Sequence, residues 1–255
     1  MLNFDAVIFD MDGVVTKTAS VHSLAWKRMF DDYLRERETK CNEPFHEFTR
    51  TDYLSFVDGR PRYDGVRAFL QSRGINIPFG IPEDDTEVET VCGLGNRKND
   101  LFNKIVEEEG VEVYDSTKEL IKELVKRGIK VGMATSSKNC ELILKRAAII
   151  NLFEVRVDGI VSAKLGLKGK PEPDIFITAC DNLGVEHHRA VIVEDAVSGV
   201  QAGSKGKFGL TIGVAREGNF QELLANGADV VVNDLSEIGV DGINELFADA
   251  SKVSP

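Results

Sequence analysis

The sequence has no apolar run approaching the roughly eighteen residues that a membrane-spanning helix needs. Its opening, MLNFDAVIFD, places acids where a secretory signal carries a basic region and a longer apolar stretch. A soluble, cytoplasmic protein is expected. Positive charge is in short supply: 31 Lys and Arg face 42 Asp and Glu, a net charge of −11. A phosphate polyanion would be repelled unless attracted locally, so nucleic acid is not an expected partner. Cysteine is scarce, and Cys41, Cys92, Cys140 and Cys180 are widely scattered. With no CxxC and no histidine at zinc-ligand spacing, they read as reduced structural thiols. Internal repeats, low-complexity segments and a Pro/Ser-rich linker are also missing. What remains is 255 residues, 42% of them hydrophobic, enough for one large domain or two modest ones.

The run NFDAVIF, Asn3 to Phe9, is apolar and β-branched enough for a buried strand, and it stops at the acidic turn DMDG. The segment VHSLAWKRMFDDYLRER follows at helical spacing, with Val21, Leu24, Ala25, Met29 and Leu34 as its expected apolar face. From Cys41 to about Gly110 come eight of the 19 aromatic residues and several helix-length patterns, but no convincing strand. Alternation resumes where Ser116-Thr117-Lys118-Glu119 reads as a capping box opening the helix ELIKELVKR, which stops at Gly128. Strand IKVGMAT, helix NCELILKRAA, short apolar pieces around Val155 and Val161, helix DIFITACDNLG, strand AVIVED, helix AVSGVQAG, strand GLTIGVA, helix FQELLANG and strand ADVVV complete the series. Strands alternating with helices imply a parallel sheet covered on both faces. The expected fold is therefore α/β: a Rossmann-like core of residues 1–17 and 111–255, with a helical domain, 18–110, inserted after the first strand.

In an open parallel sheet, ligands bind beyond the carboxyl ends of the strands. Three expected strands end in reactive groups: Asp10 and Asp12 with Gly13, Thr135 with Ser136 and Ser137, and Glu194 with Asp195. Lys170 precedes Pro171 in a loop between the last two. Carboxylates gathered at one sheet edge repel one another unless a cation joins them. Mg²⁺ suits that task, because it is oxygen-seeking and is commonly shared between a few carboxylates and a substrate phosphate. Hydroxyls and N–H groups after Ala134 would meet the phosphate, and Lys170 would neutralise charge beyond the metal's reach.

FDMDGVV, MATSSKN, GKPEPDIF and IVEDAVSG, in that order, resemble the four motifs of the haloacid dehalogenase superfamily, and the similarity is greatest to its β-phosphoglucomutase-like subgroup. The likeness spans nearly the whole chain and reaches the inserted domain through Thr18, His22 and Trp26, DGRPR and RKND. The resemblance implies that Asp10 is the nucleophile, forming an aspartyl phosphate, and that Asp12 protonates the leaving oxygen and later deprotonates an acceptor. It implies Mg²⁺ held by Asp10, Asp195, the backbone carbonyl of Asp12 and Glu194, with Thr135, Ser136 and Lys170 clamping the transferring group. In the inserted cap it implies that Arg62 grips a second phosphate, that Gly59 and Arg60 form the loop beside it, and that His22, Trp26 and Lys98 serve the sugar or Asp12. Ser137, Lys138 and Asn139 would add contacts to that distal phosphate from the core. Lys17 departs from the pattern, standing where many relatives carry an acid.

Each set also has a structural reading. Glu194-Asp195 and Thr135-Ser136 could be helix N-caps, Arg60, Arg62 and Arg67 a solvated basic face, and Trp26 a core residue. The EF-hand reading of DMDG fails for want of the later bidentate Glu. GLGNRKN lacks the preceding strand and final glycine of a dinucleotide fingerprint. The functions left are a Mg²⁺-dependent mutase converting β-glucose 1-phosphate to glucose 6-phosphate, a sugar-phosphate phosphatase of the same superfamily, and a non-catalytic sugar-phosphate-binding module. The expected partner is a small-molecule sugar phosphate, with no nucleic acid and no membrane, and the chain is expected to be a monomer.

Overall fold

Six short runs rich in β-branched residues pair into one all-parallel sheet in the computed structural model, which describes residues 2–41, 43–216 and 218–253. β1 (Ala6–Phe9) is followed by four helices: α1 (Ala19–Cys41), the single turn α2 (Arg50–Asp52) running into a π-helical turn, α3 (Arg62–Ser72) and α4 (Val91–Glu109). The series continues with α5 (Asp115–Lys126), β2 (Lys130–Ala134), α6 (Cys140–Arg146), β3 (Val155–Val157), α7 (Gly159–Leu165) and α8 (Asp174–Leu183). It ends with β4 (Ala190–Glu194), α9 (Val197–Lys205), β5 (Leu210–Val214), α10 (Phe220–Ala225), β6 (Val230–Val232) and α11 (Gly239–Val253). The chain divides into two compact units, 1–17 with 111–255 and 18–110. No helix among the described residues is long and apolar enough to cross a membrane.

In the first unit the strand order is β3-β2-β1-β4-β5-β6, the doubly wound order that reverses direction between β1 and β4. Every residue of β1, β4 and β5 is buried, as expected for strands covered on both faces. Ala6 and Ile8 join Ala134, Ile192 and the α8 residues Ile175, Phe176, Ala179 and Leu183 in one cluster. Val7 and Phe9 alternate to the opposite face.

The observed elements differ from expectation in four places. β1 begins at Ala6, because Asp5 turns outward to a two-bonded ion pair with Arg189 at 2.6 Å. The capping box at Ser116 does not form: α5 starts at Asp115 with Tyr114 as its N-cap. The hydroxyls are drawn into tertiary bonds instead, Ser116 donating to Asp234 and Thr117 to the Val14 carbonyl, both at 2.8 Å. The buried stripe of α1 is Ala25, Trp26, Met29, Phe30, Tyr33 and Leu34, while Leu24 is 38% exposed. The aromatic rings rotate the helix, since burying them removes more apolar surface than burying Val21 and Leu24 would. Finally, α11 was not anticipated. All four cysteines are free thiols, three of them buried, and burial pushes Cys180 up to about 12.

The second unit has a core of its own, built on rings. Phe30 lies 5.3 Å from Trp26, 4.9 Å from Phe48 and 4.2 Å from Phe69, centroid to centroid. Phe30→Ala should remove about 3–5 kcal/mol from this unit. Amide exchange in α1 and α4 is then expected to quicken while β1 and β4 keep their protection. Equal loss in both would show that the two units unfold together.

Candidate active site

β1 and β4 are in register, Phe9 beside Val193, so the residues that follow them meet at the switch point of the sheet. Asp10 continues the ladder, its N–H donating to the Val193 carbonyl at 2.9 Å, and its side chain lies against Glu194, the last residue of β4. Lys170, only 3% exposed, reaches in from the loop between α7 and α8. Its Nζ donates to Asp10 Oδ1 at 2.5 Å and to Glu194 Oε1. Glu194 Oε2 accepts the N–H groups of Asp195 and Ala196, each at 2.9 Å. Both Glu194 oxygens are thereby engaged by the protein itself.

Asp10, Glu194 and Asp195 each offer an oxygen, and the three lie within 4.8 Å of one another. Burial drives the Asp10 carboxyl well above the usual range; Glu194 and Asp12 push the same way against Lys170. Burial alone would lower the Lys170 ammonium, but Asp10 and Glu194 outweigh it and hold the charge on. One ammonium among three clustered carboxylates leaves negative charge that a hard divalent cation fits. The backbone is shaped to the same end. Gly13 has φ +84°, and a Cβ there would come within 1.8 Å of Asp195 Oδ2, so only glycine lets this carboxylate lie against the loop.

Asp12 sits half-buried in the same loop, bridged to Thr16, whose N–H and hydroxyl both bond to the Met11 carbonyl. Beyond β2, buried Thr135 accepts the Ser137 N–H at 3.1 Å, and Ser137 Oγ accepts that of Asn139 at 3.2 Å. Ser136, Ser137, Lys138 and Asn139 are half-buried. This loop packs on the start of α7, where a Cβ at Gly159 would meet the Ser136 carbonyl at 2.5 Å. The N-cap residues of α6 and α9 are Asn139 and Ala196, so neither Thr135-Ser136 nor Glu194-Asp195 is a helix cap. Lys17 pairs with Glu112 at 2.8 Å where the chain returns to the first unit.

Within the helical unit, α1 and α4 bring His22, Trp26 and Lys98 together. Lys98 is 3% exposed, its Nζ lying 2.5 Å from His22 Nδ1 and about equally over the Trp26 and Phe102 rings, at 5.0 and 4.9 Å. His22 stacks on Phe102 at 4.1 Å. Trp26 is thus both a core residue and one wall around the ammonium. Arg62, at the start of α3, donates from Nη2 to Asn99 Oδ1 at 2.6 Å, and burial lowers its pKa. That separates it from Arg60, which is exposed, and Arg67, which pairs with Asp64. Gly59 has φ +66° in the preceding turn.

A family model for haloacid dehalogenase-like hydrolases matches residues 4–206. A β-phosphoglucomutase of Mycobacterium bovis is 44% identical over 237 residues, covering 91% of this chain and 90% of its own. The chain belongs to the haloacid dehalogenase-like family. Its likeness to that mycobacterial protein places it in the β-phosphoglucomutase-like subgroup. An uncharacterised glycosyl hydrolase of Mycobacterium tuberculosis is 38% identical over 92% of this chain, which spans 18% of that protein. The crystal structure of a β-phosphoglucomutase from Clostridium difficile superimposes with a TM-score of 0.78 at 21% identity, covering 98% of this chain and 99% of that one, a likeness of fold.

Two supporting residues, one in each unit, were not singled out from sequence. Asn99 orients Arg62, and Gly199 makes room for Glu194, since a Cβ there would sit 1.9 Å from the Glu194 carboxyl carbon. Gly199 closes the run IVEDAVSG, where a glycine inside a helix was the available signal. Gly199→Ala should cost about 1–3 kcal/mol through forced displacement of Glu194, read as a lower urea midpoint. An unchanged midpoint would mean that Glu194 can move aside.

Proposed function

We propose that this chain is a β-phosphoglucomutase, converting β-glucose 1-phosphate to glucose 6-phosphate through an aspartyl phosphate on Asp10. The observation that carries the reading is the group of buried Asp10, Lys170 and Glu194 with half-buried Asp195 at the switch point of the sheet. The 44% identity to a β-phosphoglucomutase supports the choice of substrate.

Asp10 attacks phosphorus with a carboxylate oxygen as the bond from phosphorus to the sugar oxygen breaks, and Asp12 delivers its proton to that leaving oxygen. In the return step Asp12 takes the proton from the acceptor hydroxyl, whose oxygen attacks phosphorus and frees Asp10. Lys170, Thr135 and the Ser136 backbone hold the non-bridging oxygens. Mg²⁺, for which Asp10, Asp195 and the Asp12 carbonyl are the fitting donors, would offset phosphate charge so that an anionic nucleophile can approach. Glu194, with both oxygens engaged, serves chiefly by holding Lys170 and the Asp195 backbone. In the helical unit, Arg62 binds the non-reacting phosphate with Gly59 and Arg60 beside it, and His22, Trp26 and Lys98 face the sugar. In the sheet unit, Ser137, Lys138 and Asn139 are the further residues assigned to binding phosphate.

The test is incubation with Mg²⁺ and β-glucose 1-phosphate, with and without a sugar bisphosphate, resolving isomerised product from free phosphate. Asp10→Asn should abolish both products while leaving the fold intact, whereas a phosphoryl group trapped on another residue would overturn the mechanism. Arg62→Ala should slow isomerisation about 10²-fold, the loss of a charge-assisted contact worth about 3 kcal/mol, while phosphate release persists or rises. A wild-type protein that only ever releases phosphate, with Arg62→Ala changing that rate little, would make the chain a sugar-phosphate phosphatase.

A further inference from the structure

The loop after β5 takes no part in the mechanism above, yet it bonds to both backbone segments that carry the acids. Arg216 Nε donates to the Gly13 carbonyl at 3.3 Å, and Asn219 Nδ2 donates to the Asp195 carbonyl at 3.1 Å. Those two segments already touch, because Gly13 is the surface on which the Asp195 carboxylate rests. The guanidinium is fixed from its other sides. Nη1 donates to the Asn233 carbonyl at 3.0 Å and to Asp234 Oδ2 at 2.8 Å, and the group lies over the Tyr114 ring, 3.7 Å from its centroid. Burial alone would raise the Asp234 carboxyl, but Arg216, Ser236 and Ser116 together hold it well below the usual range.

The same loop carries a cost. Among the described residues, Arg216 Nη2 and Asn219 Oδ1 are buried with no hydrogen-bond partner. Stability alone gives no reason to keep two such atoms, whereas placing Gly13 and Asp195 does. We propose that Arg216 and Asn219 are positioning residues for the cation site, fixing the Gly13 and Asp195 backbones and with them the spacing of the Asp10 and Asp195 carboxylates. The inference rests on the reading of those two carboxylates as cation donors.

The experiment is titration of the full chain with Mn²⁺ in the absence of substrate, following free Mn²⁺ by electron paramagnetic resonance. Wild type is compared with Asn219→Ala, Arg216→Lys and Asp195→Asn, each well below its unfolding midpoint. Asn219→Ala and Arg216→Lys should each weaken Mn²⁺ binding tenfold or more, as loss of an outer partner does, and Asp195→Asn should weaken it further. If Asp195→Asn loses Mn²⁺ while both loop variants bind as wild type does, the positioning role is wrong and the cation site stands. If wild type binds no Mn²⁺, or Asp195→Asn binds it undiminished, the cation site itself is wrong and the inference goes with it. Should Arg216→Lys fail to fold, Asn219→Ala, which gives up a single side-chain hydrogen bond, decides alone.

Discussion

A single buried ammonium holds the catalytic end of this sheet together. Lys170 bonds to Asp10, the residue after β1, and to Glu194 at the end of β4, the two strands between which the strand order reverses. Without it, two carboxylates on neighbouring strands would face each other out of water, which costs several kcal/mol per uncompensated charge. The arrangement leaves Asp10 half satisfied. Lys170 binds one of its oxygens while Asp195 and Asp12 add negative charge nearby. A carboxylate in such a place is held in position without being fully neutralised, as the proposed nucleophile must be. Glu194 ties in the following loop as well: its second oxygen accepts the two N–H groups that begin it.

Much of this was legible because strand ends and motif order are both written in short contiguous runs. Five strands at buried spacing, the first four each followed by a helix, point to the sheet; acids and hydroxyls immediately after the strands then fall on one edge. Side-chain partnership across the chain was not legible. Nothing local tells Ser116 to bond Asp234, more than a hundred residues away, instead of capping its own helix. The tilt of α1 followed from ring packing with Phe48 and Phe69, which no window along the helix contains. α11 offered Val240, Ile243 and Phe247 at helical spacing, with an Asp234–Glu237 capping box before it, but two glycines within the run blurred the pattern. Arg216 and Asn219 belong to the same class, since their partners are backbone carbonyls on other strands' loops.

The helical unit solves a different problem, that of keeping a positive charge in an apolar setting. Lys98 is enclosed by Trp26, Phe102 and His22, whose rings replace water around its Nζ. Arg62 is treated similarly through Asn99, an uncharged acceptor that orients the guanidinium without cancelling its charge. Cations prepared in this way lose little side-chain freedom when an anion arrives.

The return point of the chain gives the insertion a further character. Lys17 donates its backbone N–H to the Glu112 carbonyl at 2.9 Å, and their side chains are paired as well; next to them Thr16 bridges Val113. Whatever lies between these residues leaves and re-enters the sheet unit at nearly one spot. From the standpoint of the strands, the whole of 18–110 is a loop whose ends are tied, and the entropy of closing such a loop grows only with the logarithm of its length. Lineages could therefore lengthen, trim or exchange the insertion at small thermodynamic expense to the sheet, while the acids at the strand ends stay where they are.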